Sequence, residues 1–500
     1  MLSMTIERIA EAVGGKLVAP AGVQAASGAA TAMVDRATTD SRDAGPGSVF
    51  VAIAGEHVDG HDFVAKAGQA GCPLAFVDHE VVDAPLFQLV VENTVVALGA
   101  LARLNIDLRR SLGTPFTVAA ITGSVGKTTT KDLTAAVLGA HAATVAPVGS
   151  FNNDIGLPLT ALKVDEGTRY LVAEMGANHM GELANLSRIV PPDSALELKV
   201  GVAHLGEFGS VENIFKAKSE LVEALRPDGL AILNADDPHV GAMRDLTAAP
   251  VRWFSASGHT QGFERPDEPM LVASHVEVDA ADRASFTMTL RQGGNESCAQ
   301  VRLGIPGAHN VANALGAASI ALSVGLELDD VADALGRVRS ISPHRMAVGE
   351  VSRGDVRFEL IDDSFNANPD STKSGLDALG AWNRPHRIAV LGAMLELGDE
   401  ASELHRRIGA YAAGVHADAL VAVGKDGDDE LDGLAASIAQ GAREAGMDRV
   451  ALVDNTADAD EAVRGFVSAW PRDTAVVLLK GSHASGLSAL ADLWNEGKEQ

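Results

Sequence analysis

The chain has 500 residues, too many for one ordinary domain, and at about 150 residues per domain the expectation is roughly three. Hydrophobic residues make up 46% and charged residues 21%, which excludes a disordered chain and allows several buried cores. A net charge of −27 excludes bulk binding to nucleic acid or anionic lipid, since both need a cationic surface, so any phosphate must be held by local devices.

Two cysteines, Cys72 and Cys298, cannot by themselves build a disulfide framework or a thiolate metal cluster. The opening MLSMTIERIAEAVGG carries Glu7 and Glu11 where a signal peptide needs an apolar run. No stretch approaches the roughly 18 apolar residues of a membrane helix. The expectation is a soluble, cytoplasmic protein without membrane insertion.

In chain order, residues 6–13 read as a short amphipathic helix and AGVQAASGAA (21–30) as an exposed hairpin or loop. SVFVAI (48–53) and LAFVD (74–78) read as strands, with a helix around 62–68 between them. RRSLGTP (109–115) holds charge, Gly and Pro and marks the first boundary. Apolar runs then stand at 116–122, 143–148, 170–176, 194–200 and 230–236, separated by stretches of helical composition. That alternation predicts a parallel sheet. From 271 to 304 the pattern changes to period two around Gly293-Gly294-Asn295, which predicts an antiparallel appendage. RSISPHR (339–345) reads as the second linker. Runs at 358–362, 387–393, 419–424, 449–454 and 475–481 predict a second doubly wound sheet. The fold class is α/β in three domains: a small N-terminal α/β domain (1–112), a central phosphate-loop domain with a parallel sheet (113–342) and a C-terminal Rossmann-like domain (343–500).

FTVAAITGSVGKTTTKDL (116–133) is the most informative stretch. An apolar strand runs into Gly123, Ser124, Val125, Gly126, Lys127, Thr128 and Thr129, and then into a helix. The glycines let backbone N–H groups point at a polyphosphate, and the helix start and Lys127 add positive charge. The Thr128 hydroxyl can ligate Mg²⁺. Ile121 occupies the first glycine position of the longer phosphate-loop pattern, leaving the shorter G-x-x-G-K-T. Further oxygen ligands for Mg·ATP belong at the C-terminal ends of strands, where Glu174 stands as either a ligand or a capping carboxylate. His204 follows the next strand and suits a loop hydrogen bond as well as a ligand. Lys218 lies in a helical stretch, where a solvated surface lysine is the ordinary expectation.

These stretches together resemble the Mur ligase family, the ATP-dependent amide ligases of bacterial cell-wall precursor synthesis. The likeness rests on seven ordered segments: GSVGKTTTK (123–131), NNDIGLPLT (152–160), EMGANHMGEL (174–183), NADDP (234–238), GAHNVANA (307–314), DDSFNANPDS (362–371) and LGAMLELG (391–398). Siblings acting earlier usually carry a histidine-containing sequence at Asn366-Ala367-Asn368-Pro369. The asparagine version resembles the members that join D-alanyl-D-alanine to a UDP-N-acetylmuramoyl-tripeptide.

The resemblance implies that Lys127 and Thr128 hold the ATP phosphates and a first Mg²⁺, and that Glu174 is a magnesium ligand. It implies that His204 ligates a second ion and that Lys218 is carbamylated, because a free ammonium beside two Mg²⁺ would be repelled whereas a carbamate offers oxygen ligands. Lys127, Lys218 and His204 form the catalytic set. His309, Asn310 and Asn313 align with the adenine-contacting segment, or cap a helix start. Arg345 and Asp363 align with residues reaching the phosphate end and the ribose, or form an interdomain ion pair. DSRDAGPGSVFVAIAGEHVDGHDF (40–63) resembles a UDP-binding segment, with Ser41 and Arg42 on the diphosphate, or it is a turn with a solvated arginine. Asn152, Asn153, Asn366 and Asn368 would face the peptide and the incoming dipeptide. Small-molecule substrates, a monomer and no nucleic-acid partner complete the expectation. Ala393, Leu198-Lys199 and His483 depart from the commoner family residues, outside the phosphate loop and magnesium set. The rivals are a ligase adding a single amino acid, a folylpolyglutamate-synthase-like ligase and a non-catalytic nucleotide module.

Overall fold

A computed structural model describes residues 1–20, 31–55, 58–203, 205–263, 268–339, 341–354 and 356–496. The loop expected at 21–30 and His204 lie outside the described residues. The helix Ile6–Val13 forms as its spacing predicts, with Ile6 and Ile9 buried and Thr5 capping its start. A five-stranded sheet follows in the order Lys16–Val18, Phe87–Val90, Leu74–Val77, Ser48–Val51, Arg36–Thr38, parallel except at its first pair. Ser48–Val51 and Leu74–Val77 are buried throughout, which explains why their sequences read as unbroken apolar runs. The helix Thr94–Ser111, capped by Asn93, packs on the helix Gly156–Ala161, and one core runs from Val49 and Phe76 through Leu98 to Val118 and Leu171.

The central sheet has nine strands. Its order is Asn295–Arg302, Ala284–Gln292, Met270–Val278, Val251–Ser255, Leu230–Asn234, Ser194–Glu197, Thr117–Thr122, Tyr170–Glu174, Thr144–Val145. The period-two segment is antiparallel, but it is no appendage. Met270–Val278 pairs in parallel with Val251–Ser255 and so extends the same sheet. Its inner residues Phe286, Met288 and Val301 share a core with the helix Asn310–Ser323, and that burial ties it to the body. The run at 143–148 contributes only Thr144–Val145 as strand.

The six-stranded C-terminal sheet runs Ala347–Arg353, Val356–Asp363, Ala475–Lys480, His386–Gly392, Ala419–Val423, Val450–Val453. All its neighbours are parallel except the first pair, an antiparallel edge that hydrophobic runs alone did not reveal. Helices cover both faces and divide its core in two. The site lies where the C-terminal ends of Thr117–Thr122 and Tyr170–Glu174 meet the loop before Pro369–Ala381.

Candidate active site

The strand Thr117–Thr122 ends at Gly123 (φ +150°), and Gly126 (φ +84°) opens the helix Lys127–Gly139. A Cβ on Gly123 would lie 2.8 Å from Leu198 Cβ, and one on Gly126 would collide with Asn313 Oδ1. Both positions therefore demand glycine for conformation and for space. The Ser124 amide donates to Lys199 O at 2.8 Å, and Ser124 Oγ accepts from the Gly201 amide at 2.9 Å, fixing the loop to the next strand's exit. Lys127 Nζ folds back to Gly123 O at 2.7 Å.

Thr128 Oγ1 donates to Glu174 Oε1 at 3.2 Å and lies 2.9 Å from Ser150 Oγ. Asn152 Nδ2 donates to the same Glu174 oxygen at 2.9 Å, while Glu174 Oε2 is buried with no partner. Arg345, from the segment entering the C-terminal sheet, donates through Nη2 to Ser150 Oγ (3.2 Å) and Thr128 Oγ1 (3.4 Å). Its guanidinium lies 4.4 Å from the centre of the Phe365 ring, which orients the planar head. Together these groups line a cavity of about 750 Å³ that Asn153, Asn366 and Asn368 also border. Asn368 caps the start of Pro369–Ala381 through Ser371 N (2.9 Å), and Asn153 Oδ1 accepts from Gly156 N (2.8 Å) where Gly156–Ala161 begins.

A second cavity of about 230 Å³ adjoins the loop through Val125, Gly126 and Thr129, and His309, Asn313 and Asp363 line its far side. Asn313 bridges to the loop helix through Thr130 (3.2 Å) and is held by Asn310 Oδ1 (2.7 Å). Asp363 is paired with Lys480 at 2.6 Å, a contact between neighbouring strands of one sheet. The two large sheets are tied together here by Lys199–Asp370 (3.2 Å), by the Ser342 amide on Asp132 Oδ2 (2.8 Å) and by the Gly206 amide on Glu396 O (2.9 Å).

Lys218 corrects the ordinary expectation for a lysine in a helical stretch. It is 2% exposed on the inner side of the helix Val211–Glu223. It feels the charge of Glu197, wholly buried at the end of Ser194–Glu197, with neither carboxylate oxygen hydrogen-bonded. Burial pushes the Glu197 carboxyl up to about 8 against the pull of Lys218 and Lys127. Burial, with Lys127 adding to it, lowers the Lys218 ammonium to about 7, and Glu197 opposes that shift. Sequence reading missed Glu197 and Lys480, although each ends an apolar strand as Glu174 does; that signal was available for both. Ser41 and Arg42 stand apart in a turn and line neither cavity. Arg42 is held by Asp40 through Nε at 2.9 and 3.0 Å, and that bonding lowers the Asp40 carboxyl to about 2.

A phosphate loop at the carboxyl edge of a parallel sheet, met by an arginine from the segment leading into another sheet, defines a nucleotide-binding α/β protein of the phosphate-loop class. Family models match in three parts: "Mur ligase family, catalytic domain" over residues 34–105, "Mur ligase middle domain" over 121–321 and "Mur ligase, glutamate ligase domain" over 344–483. The chain belongs to the Mur ligase family. It is 41% identical to the UDP-N-acetylmuramoyl-tripeptide–D-alanyl-D-alanine ligase of Mycobacterium tuberculosis, over 98% of each chain. The enzyme of the same name from Escherichia coli K12 is 34% identical over 91% of this chain and 92% of its own. Among solved structures, MurF from Acinetobacter baumannii superposes with a TM-score of 0.82 at 31% identity, covering 99% of both chains. MurF ligase from Thermotoga maritima, solved in complex with ADP, gives 0.74 at 25% identity over 93% of this chain and 97% of its own.

Proposed function

We propose that this chain is an ATP-dependent ligase that joins D-alanyl-D-alanine to the terminal carboxyl of a UDP-N-acetylmuramoyl-tripeptide in peptidoglycan precursor synthesis, releasing ADP and phosphate. The observation that carries the reading is the cavity of about 750 Å³ shared by the phosphate loop with Arg345 and the 365–368 segment, beside the smaller cavity at His309 and Asn313. In this reading ATP lies across both. The loop amides of 123–129 and Lys127 take the phosphates, His309, Asn310 and Asn313 take the adenine, and Asp363 takes the ribose. The substrate carboxylate attacks the γ-phosphorus to give an acyl phosphate. The dipeptide amine then attacks the activated carbonyl and phosphate leaves. Lys127 and Arg345 offset the charge that would otherwise keep two anions apart. Closure of the C-terminal sheet over the site would keep out the water that hydrolyses an acyl phosphate.

The donor set fits a divalent cation. Thr128 Oγ1 and Glu174 meet at 3.2 Å, and Glu174 Oε2 is buried without a partner. Mg²⁺ held there would screen the phosphates and help to hold the terminal one in place. Two ions, the second held by His204 and a carbamate on Lys218, complete the proposal; the burial and lowered ammonium of Lys218 support the carbamate, since only the neutral amine reacts with CO₂. Residues 1–112, with Ser41 and Arg42, anchor the UDP end, residues 113–342 bind ATP, and residues 343–500 close over it and hold the dipeptide. Asn152, Asn153, Asn366 and Asn368 face the peptide and the dipeptide. The enzyme acts as a cytoplasmic monomer. Among the described residues no helix is long and apolar enough to cross a membrane.

Phosphate release from ATP with UDP-N-acetylmuramoyl-tripeptide, supplying D-alanyl-D-alanine or single amino acids in turn, tests the reading. Dipeptide-dependent release is expected. Release that depends on a single amino acid, or on no acceptor at all, would sink it.

A further inference from the structure

Glu197 is an acidic residue beside the phosphate loop for which neither family nor sequence pattern supplied a role. It ends the strand Ser194–Glu197, next to Thr117–Thr122, and its register partner there is Thr122, the residue before Gly123. Side chains alternate along a strand, so Glu197 shares a face with Ala195, which packs in one core with Ile214 and Ala217 of the helix bearing Lys218. Thr122 shares the face of Ala120 in that same core. Three polar atoms therefore lie buried without a partner on that face, at the ends of two adjacent strands: Thr122 Oγ1 and both Glu197 oxygens; Glu174 Oε2, also unpartnered, belongs to the opposite face with Tyr170 and Val172. Buried polar groups are ordinarily satisfied, and a buried carboxylate with no donor beside it is costly to keep unless a cation or its bound water meets it.

We propose that Glu197 is a cation-holding residue of this site, presenting its carboxylate to a divalent ion beneath the phosphate loop on the side of Lys218. The proposal rests on the ligase reading only in taking a divalent ion to bind beside the polyphosphate. Glu174 and Glu197 end strands on either side of Thr117–Thr122 but on opposite faces of the sheet, so the ion proposed at Glu197 is distinct from one held by Glu174 and Thr128. Hard divalent ions favour such oxygen donors. The competing role for Glu197 is that of a buried counter-charge for Lys218 alone.

Titration of the full chain with Mn²⁺, followed by electron paramagnetic resonance without nucleotide, separates the two. Melting temperatures of the metal-free proteins are measured alongside. Glu197→Gln is expected to weaken Mn²⁺ binding at least tenfold and to leave the metal-free melting temperature unchanged or raised, because the amide matches the neutral carboxyl that burial favours without metal. Wild-type Mn²⁺ affinity in Glu197→Gln, with a lowered melting temperature and with Glu174→Gln defective, would overturn the proposal while leaving the ligase reading intact. Absence of Mn²⁺ binding in the wild type, with and without a non-hydrolysable ATP analogue, would overturn the proposal and the cation reading together. Should Glu197→Gln not fold, Glu197→Asp serves: its shorter reach is expected to cost at least threefold in affinity, and an unchanged affinity counts against the proposal.

Discussion

Arg345 Nη2 stands 3.4 Å from Thr128 Oγ1, so a side chain that enters with the C-terminal sheet ends on the first turn of the phosphate-loop helix. The same nitrogen donates to Ser150 Oγ at 3.2 Å, and the Phe365 ring supports the guanidinium at 4.4 Å. In the proposed reaction that position sets the arginine against charge developing at the phosphate end.

Arg345→Ala is therefore expected to lower kcat for phosphate release by about 10²–10³, the usual cost of losing one preorganised donor to transition-state charge. Arg345→Lys should recover only part of it, because an ammonium neither stacks on Phe365 in the same way nor spans Thr128 and Ser150 with a planar fork. Steady-state kinetics with both variants checks this; equal activity in the lysine variant and the wild type would show that charge alone suffices.

Gly206 and Gly398 meet where the helix Leu205–Phe208 touches the segment after Leu395. A Cβ on Gly206 would lie 2.6 Å from Gly398 N and 3.1 Å from Glu396 O, both backbone atoms that cannot rotate away. Gly206→Ala is expected to part the two sheets locally and lower kcat by roughly tenfold, with a melting temperature within a few degrees of wild type. Unchanged turnover would mean that this contact is not formed during catalysis.

Burial lowers Lys218 to about 7, far below the ordinary lysine range, so the reactive neutral amine becomes abundant as pH rises through 7. Bicarbonate-dependent activity is expected to climb between about pH 6 and pH 8, and a ¹³C carbamate signal to appear over the same interval. Lys218→Ala should lose both. No carbamate signal at pH 8 in active enzyme would refute the modification.

Asp282, in the turn between Met270–Val278 and Ala284–Gln292, accepts the Gly307 amide through its backbone carbonyl at 2.8 Å, ahead of His309. It is 4% exposed and takes a positive φ of 53°. Burial, the largest cause, pushes its carboxyl up to about 6, above the unfolded 3.8. The folded protein thus holds the proton more tightly than the unfolded chain. Stability from this site is fully present below about pH 4 and is lost as pH rises through 6. Asp282→Asn keeps an acceptor and tolerates the backbone, so it should stabilise the protein at pH 7.5 by on the order of 1 kcal/mol after solvent screening. The melting temperature at pH 4 should not change; a loss of stability at pH 7.5 would contradict this account.

The phosphate loop was legible because it is local. Gly123, Gly126, Lys127 and Thr128 act through the backbone of six consecutive residues, and a strand feeding a helix fixes their geometry. The placement of Glu174 beside Thr128 was legible for a related reason: it closes an apolar strand next to the one that feeds the loop. Glu197 and Lys480 also stand at the ends of apolar strands, yet a strand end alone does not say which face the side chain takes or what stands opposite.

Contiguous sequence therefore determined the α/β class, the succession of buried strands and the polyphosphate cradle, since hydrophobic period and glycine conformation are properties of short stretches. Tertiary structure decided that Lys218 and Glu197 are both buried, that the period-two segment extends the central sheet, and that Arg345 reaches Thr128 across 217 positions of chain. Each of these depends on which faces pack together. Burial and electrostatic environment are properties of neighbours in space, and sequence distance does not encode them.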